Sequence, residues 1–170
     1  MAKFVWHSGN VPQNLKVTQV YGIVFNADGL VLLKVENKKD RRVYSFGGGT
    51  PENFDDSRDA TLRREMVEEL NTTLQSKLIS VGYQEVDEEN GKPPYAQMRM
   101  TALVDKVGVK QPDPDNGDTY DRLFTTPNQA IKLLGWGDVG KNQILEAVEL
   151  AQKHFGIKTY ADDEQVEQWV

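Results

Sequence analysis

The sequence predicts an α+β protein, a mixed β-sheet enclosed between helical layers as an α/β/α sandwich, and three observations carry that prediction. Two apolar, β-branched runs within Val17–Glu36 flank the turn-forming Asn26-Ala27-Asp28-Gly29, which is a hairpin signal. A glycine triplet, Gly47 to Gly49, leads through an acidic loop into an amphipathic helix ending near Asn71. Two further strand patterns and then two helical patterns complete the order hairpin, short strand, helix, two strands, helix, helix.

Met1 to Lys16 holds Phe4, Trp6 and His7 without a clear period, and is expected to be a docked N-terminal arm, with Trp6 and His7 as an alternative ligand edge. In the second run of the hairpin, Lys34 follows Leu33 near the point where the strand would approach the glycines. It is either an outward strand residue or a phosphate contact. Asn37 to Arg42 reads as a solvated polar turn, with Arg42 as a candidate substrate contact, and Tyr44, Ser45 and Phe46 form a short strand running into Gly47.

The helix should start near Ser57, since Asp56, Ser57 and Asp59 can cap free N–H groups and suit the positive end of the helix dipole. At about 100° per residue, Leu62, Met66, Val67 and Leu70 fall on one side and Glu65, Glu68 and Glu69 on the other. Like charges at these i,i+3 and i,i+4 spacings are mildly destabilising. Arg64 can neutralise one of the carboxylates but not all three. They form either a solvated acidic face or a site for a hard divalent cation, which takes oxygen ligands. Three glycines beside them favour the second reading, because glycine lets backbone approach a ligand closely.

Gly47 to Thr72 resembles the Nudix box: Gly, five residues, Glu, seven residues, then Arg-Glu-apolar-any-Glu-Glu-any-Gly-apolar. Arg64, Glu65, Met66, Val67, Glu68 and Glu69 match the second half in register. Counting from Gly49, Asp55 stands for the first Glu, and eight residues rather than seven separate it from Arg64. Phe46 stands where the family usually has Pro. Asn71 and Thr72 replace Gly and an apolar residue, and Asn is the mildest such change, since it too accepts a left-handed cap.

The resemblance implies a Nudix-like α/β/α fold and a hydrolase cleaving a phosphoanhydride in a nucleoside diphosphate linked to another group. It implies magnesium, or manganese in its place, on Glu65, Glu69, Glu68 and the Gly48 carbonyl, with Arg64 orienting Glu68, and Glu68 as a further ligand or base. Glu52 and Asp55 are expected to shape the loop. Nucleoside triphosphates and ADP-ribose-like dinucleotides both fit as substrates. A binding-only nucleotide sensor is the alternative from a different class, and a homodimer is the common assembly in families of this kind.

After the helix, strands are expected over Leu78–Asp87 and Tyr95–Val109, joined by a turn at Glu89-Asn90-Gly91. Met98, Met100 and Ala102 alternate with Arg99, Thr101 and Leu103, so one face should be more buried than the other. Gln111 to Asp121 is a loop carrying Asp113, Asp115, Asp118 and Asp121. The resemblance makes one of these, Asp115 or Asp118 foremost, a candidate base or extra ligand. Thr126-Pro127-Asn128-Gln129 reads as a capping box opening a helix that stops at Gly135. Trp136 follows, either stacking on a base or anchoring the core. A helix over Val139–Phe155 should pack Ile144, Leu145, Val148, Ala151 and Phe155 against the sheet, opposite the first helix. The acidic tail, 160–170, is expected to be poorly ordered, although Trp169 hints at docking.

The 170 residues suit one domain. Apolar residues at 38% and charged residues at 27% fit a soluble globular protein. A net charge of −6 argues against binding a nucleic-acid polymer. The absence of cysteine excludes disulfides and thiolate sites, and two histidines argue against a zinc centre. Neither a signal-type apolar segment nor a membrane span is visible, so a cytoplasmic setting is expected, and the Nudix resemblance implies a small nucleotide partner.

Overall fold

The computed structural model describes residues 1–170. Its strands are β1 (Lys3–Ser8), β2 (Val17–Phe25), β3 (Val31–Asn37), β4 (Arg42–Ser45), β5 (Gly47–Gly49), β6 (Thr72–Leu74), β7 (Ile79–Asp87), β8 (Tyr95–Val107), β9 (Asp121–Thr125) and β10 (Glu167–Trp169). The helices are α1 (Arg58–Leu70), α2 (Pro127–Leu134) and α3 (Gly137–Phe155). The principal strand order is β1-β7-β8-β2-β3-β9-β10, with β4 on β3, β5 on β2 and β6 on β8. Only β2 and β8 pair in parallel, so the sheet is mixed as expected.

The hairpin forms at its tip, where Asn26 Oδ1 accepts from the backbone N–H groups of Asp28 and Leu30. Beyond the Phe25–Val31 pair the strands part. β5 fills the β2 side of the split, and β4 and β9 flank β3. The glycine triplet is therefore a strand of its own.

Two apolar cores lie on the two faces of the sheet. Leu62, Met66 and Leu70 of α1 pack on Val20, Val24, Leu32, Met100 and Phe124. Ala130 and Leu134 of α2, with Ile144, Ala147 and Ala151 of α3, pack on Ile23, Phe25, Val31 and Leu33. Each such fully buried large apolar side chain stabilises by about 1.5–3 kcal/mol, so the expected placement of the two long helices on opposite faces follows from where their apolar stripes are buried. Leu145 lies outside that stripe and is exposed, and Val67 of α1 is 42% exposed.

Several local expectations need correction. Both faces of β8 are buried, because α1 covers Met100 and Ala102 while Arg99 and Thr101 face the α3 layer. The Thr126 hydroxyl does not cap α2 but donates to the Glu164 carbonyl. Residues near the C-terminus are not loose: β10 pairs with β9, and Arg42 lies over the Trp169 ring at 5.0 Å. The N-terminal arm is docked, as β1 on β7. No helix is long and apolar enough to cross a membrane.

Candidate functional site

The split between β2 and β3 is roofed by α1, and the box residues meet there. Ser57 starts the helix with its side chain accepting from Ala60 N–H at 3.1 Å. Asn71 ends it in the left-handed conformation, φ 44° and ψ 47°, as expected for the residue replacing glycine.

Glu65 and Glu69 do not face solvent, although they lie opposite the apolar stripe. Each is only 7% exposed, because the backbone of β5 carries no side chains to hold the helix away. A Cβ on Gly49 would run into the Glu65 carboxylate, and Gly48 has φ +149°, a conformation that side chains rarely adopt. Glycine is needed at Gly49 by the packing of the helix on the strand, and at Gly48 by its backbone conformation and the close approach of Val20 and Tyr21 on β2.

Each carboxylate is met by a donor. Glu69 Oε2 pairs with the Lys34 ammonium, and Glu69 Oε1 accepts from Gly48 N–H at 2.8 Å. Arg64 Nη1 reaches Glu65 at 2.9 Å and Glu68 at 3.1 Å. The partner that fixes Arg64, however, is Asp55, which accepts from Nε at 3.0 Å and Nη2 at 2.9 Å. The loop ahead of the helix, one residue longer than the family pattern, thus carries a structural carboxylate that aims the arginine. Arg63 donates to the carbonyls of Leu74, Gln75 and Ser76 and ties down the chain beyond the helix.

Charge is unbalanced within this cluster. Burial raises the Glu65 pKa against Arg64, with Glu69 and Glu68 adding to the rise. Burial also raises Glu69 against Lys34 and the Gly48 N–H, with Asp113 adding to it. For Lys34, burial acts against the charged form, but Glu69 outweighs it and the pKa rises. Asp55, Glu65, Glu68, Glu69 and Asp113 thus share two cations, Arg64 and Lys34.

Asp113 is the buried carboxylate of the Gln111–Asp121 loop, whereas Asp115 and Asp118 are exposed and their backbones complete the turn around it. Position alone could not single out Asp113, because all four aspartates share one loop signal. Arg42 is also apart from the cluster, exposed and bonded to Asn37.

Beside the cluster lies a cavity of about 540 Å³ lined by Phe46, Trp136, Tyr21, Phe4 and Val139, with Lys34, Ser45, Arg99, Gln84 and Gln97 as its polar part. Trp136 meets Phe46 edge to face, centroids 5.5 Å apart, so it lines the cavity and contacts the core. The sequence pattern did not reveal Arg99. Its only local signal is a charged residue between two methionines in a strand.

The donors of the carboxylate cluster are all oxygen, which suits magnesium or manganese, and the excess of buried negative charge is what a divalent cation would offset. In the arrangement present, no three His, Cys, Asp or Glu side chains converge on one point; Glu69 pairs with Lys34, and Glu65 and Glu68 with Arg64. The residue types therefore fit the ion, while the protein's own cations balance part of the charge.

At the level of sequence, no protein-family model and no curated protein matches the chain. Its fold does match solved structures. A NUDIX hydrolase structure from Listeria monocytogenes aligns with a TM-score of 0.60 at 20% identity, covering 85% of this chain and 100% of that one. A NUDIX hydrolase from Nitrosomonas europaea aligns at 0.56 and 17%, covering 88% and 100%. A mutant of the Bacillus subtilis pyrophosphohydrolase BsRppH aligns at 0.50 and 19%, covering 63% of each chain. The chain has the fold of Nudix hydrolases.

Proposed function

We propose that this protein is a divalent-metal-dependent hydrolase of a phosphoanhydride bond in a nucleoside diphosphate linked to another group. The observation that carries the reading is a cluster of buried carboxylates in excess of its cations, opening beside a cavity with aromatic walls. Glu65, Glu69 and Glu68, with the Gly48 carbonyl, would hold magnesium or manganese. Such an ion, when bound, supplies neutralisation of phosphate oxygens and a lowered pKa for water.

The remaining chemistry belongs to the chain. Arg64, clamped by Asp55, orients Glu65 and Glu68 through charge-assisted bonds. Lys34 lies between Glu69 and the cavity and would hold a substrate phosphate oxygen. Asp113, rather than Asp115 or Asp118, is the loop carboxylate suited to accept a proton from the attacking water. Phe46 and Trp136 enclose the ring of the leaving or retained nucleoside. The reading takes one domain over residues 1–170 acting on a small nucleotide rather than a nucleic-acid polymer, as a cytoplasmic homodimer.

A binding-only sensor remains the second reading, favoured by one observation: Lys34 and the Gly48 N–H already engage both oxygens of Glu69. The deciding experiment measures phosphate, pyrophosphate and nucleoside monophosphate released from nucleoside triphosphates and ADP-sugars with magnesium. Turnover by the wild type that collapses in Glu69→Gln supports the hydrolase. Nucleotide binding by calorimetry without turnover of any substrate supports the sensor.

A further inference from the structure

Arg99 is 3% exposed and has no carboxylate partner. Its acceptors are neutral: Nε donates to Gln143 Oε1 at 2.8 Å, Nη2 to Gln84 Oε1 at 3.2 Å and Nη1 to the Gln97 carbonyl at 3.3 Å. Tyr21, its register partner on β2, lies under the guanidinium at 4.8 Å. Burial without a countercharge lowers its pKa to about 10, which leaves the group charged at neutral pH. An ionic group desolvated in this way is costly unless something further accepts its hydrogen bonds.

Three of the five guanidinium N–H donors are used by these bonds. The Gln84 oxygen is taken twice, since it also accepts from Gln143 Nε2 at 3.2 Å, and the Gln143 oxygen is taken by Arg99. This network therefore leaves mainly N–H groups for a ligand. Around it the walls are flat and apolar, formed by Phe46, Trp136 and Tyr21, and the space of about 540 Å³ is of ring-and-sugar size.

We infer that Arg99 is a specificity-determining residue that selects a 6-oxopurine base in this cavity and rejects adenine. A 6-oxopurine presents two adjacent acceptors, O6 and N7, to a guanidinium fork, whereas adenine presents one acceptor and an amino group whose N–H would face the cation. This inference rests on the nucleotide reading of the neighbouring carboxylate site, and it separates two substrate classes that the box motif leaves equal: it favours oxopurine nucleotides over ADP-ribose-like dinucleotides.

The test uses nucleosides, which carry no phosphate and so report on the cavity whether or not the protein hydrolyses anything. Binding of guanosine, inosine and adenosine to the full chain would be measured by calorimetry and by quenching of tryptophan fluorescence. Guanosine and inosine should bind roughly 5- to 150-fold more tightly than adenosine. Arg99→Met should abolish that preference, and Trp136→Ala should weaken all three nucleosides while keeping their order. Adenosine binding as tightly as guanosine, no nucleoside binding, or a preference that survives in Arg99→Met would overturn the proposal. The wild-type order alone decides if Arg99→Met does not fold. Failure of the hydrolase reading would show separately, as absence of magnesium-dependent turnover by a protein that still prefers guanosine.

Discussion

Asp55 grips the Nε–Nη2 edge of Arg64 with both carboxylate oxygens, at 3.0 and 2.9 Å, and also accepts from Glu52 N–H and the Thr61 hydroxyl. These bonds, those of Arg64 foremost, hold its carboxyl well below the usual carboxylate range against the opposing effect of burial. The folded-state pKa is depressed, so the stabilisation is fully present above the ordinary carboxylate pKa and is lost as pH falls toward the folded value. Asp55→Asn should therefore cost about 2 kcal/mol near neutral pH, with the difference from wild type shrinking on acidification. Thermal melts from about pH 7 to about pH 3 check it, and a difference that grows toward acid would refute the assignment.

Metal and Glu69 should be coupled in a way visible without any substrate. Magnesium at about 100 times its dissociation constant should stabilise the wild type by about 2.7 kcal/mol, reversed by chelation. Glu69→Gln should lose most of that increment, and its turnover should fall by at least roughly 100-fold. Melting curves with and without magnesium, run beside the turnover assay, give both readouts.

Lys34 and Glu69 pull in opposite directions in such an experiment. Lys34→Met leaves a buried carboxylate without its cation, which costs about 3–5 kcal/mol when no metal is supplied. Magnesium should then restore more stability in Lys34→Met than it adds to the wild type. Equal increments in the two proteins would show that Lys34 and the metal do not share Glu69.

Arg122 is the other buried arginine without an ion pair. Its Nη1 donates at 2.7 Å to the carbonyls of Leu70 and Gly108, and its Nε to that of Val170 at 3.3 Å. It joins the C-terminal end of α1, where a cation complements the helix dipole, to β9 and the strand beside it. Arg122→Met should destabilise by about 2–3 kcal/mol with little change in nucleoside preference, as read by urea unfolding and calorimetry.

Much of this was legible in the sequence, and the rest was not, for physical reasons. Ser57, Asn71 and Gly135 act through local backbone geometry, so their helix boundaries could be read one residue at a time. The apolar stripe of α1 was legible for Leu62, Met66 and Leu70, and failed at Val67, which is exposed while Glu65 and Glu69 are the residues buried beside β5. Asp55 and Asp113 bond within their own loops, where neighbouring acids carry the same signal, whereas Arg99 meets Gln143 across 44 residues. No periodicity reports such a meeting. A triplet of glycines announced closeness to something, and what it is close to, the Glu65 carboxylate, appears only in three dimensions.

The parallel pairing of β2 with β8 also bears on how the chain reaches this state. Tyr21 and Arg99 become neighbours only when a segment 78 residues distant in sequence closes onto β2, a loop-closure cost that local contacts do not repay. Helix α1 can collect its carboxylates early, from a capped and self-contained segment, whereas the cavity floor awaits that closure. Refolding followed by tryptophan fluorescence and guanosine binding together should therefore show binding competence arriving with the slowest phase, so that a partly folded chain would carry the anionic half of the site without the means to recognise a base.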